Sequence, residues 1–141
     1  MTHANPLVGV WRIVAFQFET ADAKERRDIC DQHPSGFLII TAEGRLITLV
    51  TAGERPSTTS PDALFDSMTA YSGVYRLHGS DTFVTTVDSA WHPAWLGTEQ
   101  TRHFKLDDNT LSVFSPLQEH PKFPGQRVRG IAIWQREDAM F

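Results

Sequence analysis

The chain has 141 residues, 40% hydrophobic and 21% charged, with a formal net charge of −4. That length encloses one core and reads as a single domain over residues 1–141, with the composition of a globular rather than a disordered chain. Lys/Arg runs are absent apart from Lys24-Glu25-Arg26-Arg27, which an acid interrupts, so nucleic-acid binding has little electrostatic support and no nucleic-acid partner is expected.

The first residues, MTHANPLVGVWR, lack a basic segment followed by an apolar run, so no signal peptide is expected. No apolar stretch reaches membrane-spanning length, and no membrane partner is expected. The single cysteine, Cys30, excludes an internal disulfide and reads as a small strand residue. Together these features point to the cytoplasm.

The periodicity along the chain is that of short strands. They are expected at Val8–Glu19, Glu25–Asp31, Gly36–Thr41, Arg45–Thr51, Tyr71–His78, Thr82–Trp91, Glu99–Asp107, Thr110–Ser115 and Gln126–Glu137. Ala42-Glu43-Gly44, Gly79-Ser80 and Asp108-Asn109 carry turn chemistry between them. One segment differs. Ser60-Pro61-Asp62 reads as an N-cap, a Pro in the first turn and an acid, and Ala63, Leu64, Phe65, Met68 and Ala70 follow at helical spacing. This predicts one short helix near residues 61–70. Pro116–Gly125 holds three prolines and is expected to be a loop. Many strands, short turns and one helix predict an all-β fold. It is a single antiparallel up-and-down barrel of about eight to ten strands, since closure removes unpaired edges.

The turns set an expected register. A two-residue Gly79-Ser80 loop places Tyr75 opposite Val84, Gly73 opposite Thr86 and Tyr71 opposite Asp88. A symmetric loop at Pro93–Gly97 places Asp88 opposite Arg102 and Ala90 opposite Gln100. An Asp108-Asn109 turn places Leu106 opposite Leu111, Phe104 opposite Val113 and Arg102 opposite Ser115. Glu99, Thr101, His103, Lys105 and Asp107 then share a solvated face, so Tyr75, Val84, Leu106, Leu111, Thr86, Phe104 and Val113 point inward. One inward row is polar: Tyr71, Asp88, Arg102 and Ser115. A charge there needs a partner, and the register pairs Asp88 with Arg102. Two readings of the row stand at this point: a structural ion pair near the rim, or a polar anchor for a ligand in an apolar cavity.

The histidines diverge. His92 has inward parity near the rim, while His78 and His103 point out, and no zinc spacing occurs, so no metal site is expected. There is also no Gly-rich phosphate loop and no nucleophile motif, and no cofactor is expected.

Gly9-Val10-Trp11-Arg12 resembles the Gly-x-Trp signature of lipocalins. Pro93-Ala94-Trp95-Leu96-Gly97-Thr98-Glu99-Gln100-Thr101-Arg102, with Leu111 and Ile133-Trp134-Gln135-Arg136, resembles more narrowly the bacterial and fungal lipocalin-like domain family. Gly36-Phe37-Leu38-Ile39, Glu43-Gly44-Arg45-Leu46 and Tyr71-Ser72-Gly73-Val74-Tyr75 match the same pattern, so the resemblance spans nearly the whole chain. It implies a lipocalin or calycin-type barrel with an internal cavity, in which Trp11 closes the narrow end and packs on Arg136. The family tends to carry His on the strand before Pro-x-Trp; Thr85 and Thr86 stand there instead.

The first functional expectation is therefore a binding protein for a small hydrophobic molecule with a polar or anionic group. Tyr71, Tyr75, Thr86, Asp88, His92, Trp95, Gln100, Arg102, Phe104 and Ser115 are its expected ligand-binding residues. Arg102 would orient an oxygen and Asp88 would hold the guanidinium. The alternative is a cofactor-independent isomerase, cyclase or hydrolase, with Asp88, His92 or Tyr71 moving a proton and Arg102 stabilising an oxyanion. A third reading is a barrel packed solid, serving as an interaction module. Homodimers are the commonest oligomers, which makes a homodimer the default expectation for self-association.

Overall fold

A computed structural model describes residues 5–21, 26–28, 33–120 and 123–137, with 26–28 described by backbone alone. Cys30 and the ends of the expected Glu25–Asp31 strand lie outside these residues. The strands are β1 (Gly9–Thr20), β2 (Arg26–Asp28), β3 (Ser35–Ile40), β4 (Arg45–Thr51), β5 (Met68–Leu77), β6 (Thr82–Ala90), β7 (Glu99–Asp107), β8 (Thr110–Phe114), β9 (Gln118–Glu119) and β10 (Arg127–Arg136). Neighbours pair antiparallel in the order β1, β3, β4, β5, β6, β7, β8, β10, and β10 pairs again with β1. Those eight strands make a closed barrel. The short β2 adds to β1, and β9 adds to β10.

The helix α1 (Pro61–Asp66) begins as expected, with the Ser60 hydroxyl accepting from the Ala63 amide. It stops four residues early, because Met68 and Ala70 pair with Thr51 and Leu49 as the start of β5. A ladder of backbone bonds to β4 outweighs the weak helical pattern of those residues.

One end of the barrel is sealed by the first strand and what precedes it. Trp11 is fully buried opposite Arg136, whose guanidinium carbon lies 4.2 Å from the indole centroid. Such a contact contributes about 0.5–2 kcal/mol. Arg136 also donates to the carbonyls of Pro6 and Val8, and the Trp11 indole donates to Leu7. This is the packing the Gly-x-Trp resemblance implies. Gly9 explains its own place in that motif: it takes φ +146°, and a Cβ there would lie 2.7 Å from Arg136 Nη1. Leu7, Ile40, Tyr75 and Leu111 belong to the same buried core cluster as Trp11, and none of them lines the cavity described below.

The register departs from expectation at β6. The loop after β5 takes in Asp81 as well as Gly79-Ser80, with the His78 amide donating to the Thr82 carbonyl. Tyr75 therefore faces Thr85, not Val84. The one-residue slip sends Phe83, Thr85 and Val87 inward and Val84, Thr86 and Asp88 outward. This outcome buries a Phe and leaves a carboxylate in water, which the expected parity would have reversed. A bulge at Ser72/Gly73 shifts the pairing once more, so that Tyr71 faces Ala90. Beyond Val87, β6 pairs with β5 alone. The connection to β7 closes where Val87 and Gly97/Thr98 exchange bonds, placing Thr86 opposite Glu99. The β7–β8 hairpin follows the expected register, with Leu106 opposite Leu111 and Asp108 at φ +57° in the turn.

Gly9→Ala is expected to destabilise the fold by about 1–3 kcal/mol, through the unfavourable φ and the clash with Arg136. Urea unfolding of the Gly9→Ala, Arg136→Ala and double variants measures it. The double variant should lose less than the sum of the single ones, because removing the guanidinium relieves the clash.

Candidate functional site

The end of the barrel opposite Trp11 holds a cavity of about 70 Å³, measured as space open to the centre of a water molecule. Leu38, Leu46, Phe83, Val113, Ala132 and Trp134 form its apolar floor and walls. Phe16, Phe18, Trp95, His120 and Val128 ring the upper part, and Thr48, Thr69, Tyr71, Arg102, Ser115 and Gln118 supply polar atoms. The interior is therefore not packed solid.

Each polar group is set by a strand. Tyr71 and Thr69 come from the inward face of β5, Arg102 from β7, and Ser115 from the residue just after β8. The Arg102 guanidinium donates to the Thr101 carbonyl at 2.8 Å and to Gln100 Oε1 at 3.3 Å. It also sits 5.8 Å from the Trp95 ring centroid. Gln100 is buried behind it. Gln100 Oε1 also accepts from Gln118, and its amide nitrogen donates to Thr98, so Gln100 positions Arg102 from behind. Among the described residues Arg102 makes no ion pair with a carboxylate. Thr69 Oγ1 is buried beside the cavity with no hydrogen-bond partner among those residues. Leaving such an oxygen dry costs about 1–3 kcal/mol.

An aromatic cluster roofs the site. The His120 ring lies 4.8 Å from Phe18, 5.4 Å from Trp95, 6.0 Å from Trp91 and 6.2 Å from Phe123. Tyr71 packs edge-on against Trp95 at 5.1 Å. Trp95 and His120 also border an outer cleft with His92, Thr98, Glu119 and Phe123. These two side chains stand between the cavity and the solvent-facing cleft.

The expected site residues fall into three groups. Tyr71, Trp95, Arg102 and Ser115 line the cavity, and Gln100 supports it. Tyr75 points inward but belongs to the sealed end, where its hydroxyl accepts from Asn5 and donates to the Thr41 carbonyl. Burial pushes that hydroxyl's pKa up, partly offset by the Asn5 hydrogen bond. Phe104 is partly buried against Phe83, and His92 caps the 3-10 turn Pro93–Trp95, its Nδ1 accepting from the Ala94 amide.

Thr86 and Asp88 lie outside the barrel, so the expected Asp88–Arg102 pair does not form. Asp88 instead accepts from Arg45 at 2.6 Å and from Ser72 at 3.0 Å. Asp88 as a proton-moving group inside the barrel falls with that register. Thr85, one of the two residues at the family's His positions, is fully buried and faces inward, while Thr86 faces solvent.

Sequence reasoning missed His120, Phe18, Thr69 and Gln118. Phe18 was signalled by a parity change in β1: Trp11 and Ile13 point in, a bulge falls between Ile13 and Ala15, and Phe16 and Phe18 then take the inward side. His120 sits in the proline-rich loop, where no periodicity announces that the chain folds back over the barrel. Among the described residues no three His, Cys, Asp or Glu side chains stand close enough to share a metal ion.

The lipocalin-like domain family model matches residues 8–137. No curated protein matches the chain. Among solved structures the chain is similar to an uncharacterized protein from Bacteroides eggerthii DSM 20697, at 14% identity over 92% of this chain and 98% of that one, with a TM-score of 0.45.

The Arg45 guanidinium and then the Ser72 hydroxyl hold the Asp88 carboxyl below the usual carboxylate range. A depressed carboxyl pKa contributes stability that is present at neutral pH and lost as pH falls through the folded-state value. Asp88→Asn is therefore expected to flatten the acid side of the stability–pH curve, below about pH 4, while leaving cavity binding unchanged. Urea midpoints measured from neutral to acid pH, alongside ligand titration, check both parts.

Proposed function

The chain belongs to the lipocalin-like domain family, and we propose that its barrel holds one small, largely apolar molecule whose anionic or carbonyl oxygen rests on Arg102. The observation that carries this reading is the Arg102 guanidinium. It lines a cavity whose walls are mainly apolar, is steadied by Gln100 and Trp95, and has no carboxylate partner among the described residues. A cation at an inward position is costly unless something negative or strongly polar completes it. A ligand carboxylate or carbonyl does so, with the two-pronged geometry a guanidinium favours. The Thr69 oxygen offers a second polar contact on the far side of β6.

Size narrows the ligand. A cavity needs about 10–15 Å³ by this measure to hold one water, so this one takes roughly five waters, or a molecule with a single ring or a short acyl chain. The wall composition, with Phe16, Phe18, Tyr71, Trp95 and His120, favours a flat ring. A protein-level consequence is that Trp95 reports binding, because it touches both the cavity and Arg102.

Benzoate, benzyl alcohol and benzylamine share a ring and differ in charge, and titration followed by tryptophan fluorescence ranks them. Benzoate is expected to bind at least about tenfold more tightly than benzylamine, corresponding to one or two charge-assisted hydrogen bonds. Arg102→Gln should erase that preference while far-UV circular dichroism stays unchanged. Equal ranking in the wild type and the variant would remove Arg102 from the binding role.

A further inference from the structure

The cavity carries hydroxyl groups on a wall that Arg102 does not occupy. Thr48 comes from β4, and Thr69 and Tyr71 come from β5; all three line the cavity. The strand β6 separates this wall from β7, which bears Arg102. The β4–β5 ladder sets the spacing of the hydroxyls. Thr48 stands opposite Tyr71, and Thr69 stands opposite Val50, one inward position away along β5. Cross-strand neighbours hold their Cβ atoms about 4.5–5.5 Å apart, and successive inward residues of one strand stand about 6.7 Å apart. The three hydroxyls therefore share one patch.

Thr48 and Thr69 are more than nine-tenths buried, at 8% and 5% exposure. Thr69 Oγ1 has no hydrogen-bond partner among the described residues, so neither Thr48 nor Tyr71 satisfies it. Buried hydroxyls are ordinarily paired. One that is unpaired and borders a cavity is completed by a polar group entering that cavity. Charge narrows the group. Among the described residues that line the cavity, Arg102 is the one Arg or Lys. The hydroxyl patch thus has no cation of that kind to receive a second carboxylate, and burying one there would be costly. Hydroxyls both donate and accept, and a neutral ligand hydroxyl answers both capacities. Distance agrees with a small ligand. The Trp95 ring lies 5.1 Å from the Tyr71 ring centre and 5.8 Å from the Arg102 guanidinium carbon. One indole spans the gap between the two polar regions, so a single ring lying beside it can reach both.

We propose that Thr48, Thr69 and Tyr71 form a second polar subsite, and that the ligand is an aromatic acid bearing a neutral hydroxyl on the side of its ring away from the carboxylate. The carboxylate end rests on the Arg102 reading; the hydroxyl end rests on Thr69.

Isothermal titration calorimetry with two pairs of probes tests each end separately. 4-Hydroxybenzoate and 4-methylbenzoate have nearly the same shape and differ in one hydroxyl. Phenol and toluene repeat that comparison without a carboxylate. The wild type is expected to bind the hydroxyl member of each pair about tenfold more tightly. Thr69→Val keeps the outline of the side chain and removes its oxygen, and should bring both ratios to within about twofold of one. Its urea midpoint should equal or exceed that of the wild type, since the lost oxygen bonds to no described residue. Equal affinities within both pairs in the wild type would overturn the proposal, as would preferences that persist in Thr69→Val. A lowered urea midpoint would also overturn it, by showing that Oγ1 is already satisfied within the protein. The Arg102 reading fails in a different way. If Thr69-dependent preferences appear while Arg102→Gln binds 4-hydroxybenzoate as tightly as the wild type does, the hydroxyl subsite stands and the carboxylate assignment falls.

Discussion

The pairing of β1 with β10 is the constraint on which the rest of the structure depends. It runs from Trp11 opposite Arg136 to Thr20 opposite Val128, and it turns a sheet with two edges into a barrel with an inside. Once the sheet closes, each strand has one face in solvent and one face enclosed. The same pairing stacks Arg136 on Trp11 and seals one end. The cavity lies toward the other end, where Phe18 and Val128 stand near the far limit of the β1–β10 ladder.

Closure also explains why one arginine matters. A guanidinium on an open sheet would sit in water and need no explanation. Inside a barrel, Arg102 is bounded by Trp95, Gln100 and the cavity. The backbone and Gln100 satisfy some of its five donors, and the cavity is left to serve the rest. The aromatic roof of Trp95, His120 and Phe18 limits the access of bulk water to that space, which strengthens whatever polar contact forms there. The proposed function rests on these three features together: the fold, the charge and the roof.

The fold class was legible in the residues because strand periodicity, turn chemistry and the Gly-x-Trp and Pro-x-Trp-x-Gly-Thr-Glu-Gln-x-Arg motifs agree with one another. The inward faces of β5, β7 and β8 were also legible. The Asp108-Asn109 turn ties the last two together, and Tyr71, Arg102 and Ser115 do share the cavity. Asp88 was misplaced for two reasons. The Pro93–Gly97 connection is not symmetric, so Phe83 rather than Asp88 stands opposite Arg102, and Thr85 rather than Ala90 opposite Gln100. The turn after β5 holds three residues rather than two, and a one-residue error turns every β6 side chain to the other face. The alternation in Phe83-Val84-Thr85-Thr86-Val87-Asp88 carried the correct answer, since it puts the Phe inside and the acid outside. His120 was not legible at all. Its place depends on a loop folding over the barrel mouth, a tertiary event that local pattern does not encode.

The central claim is that Arg102 receives the polar end of a small ring-bearing or acyl ligand within the barrel. A crystal structure of the protein with benzoate tests this directly. The account predicts the carboxylate within about 2.7–3.0 Å of the Arg102 guanidinium, with the ring enclosed by Phe18, Tyr71 and Trp95. Benzoate found with its carboxylate turned to solvent, or only outside the barrel, would contradict it.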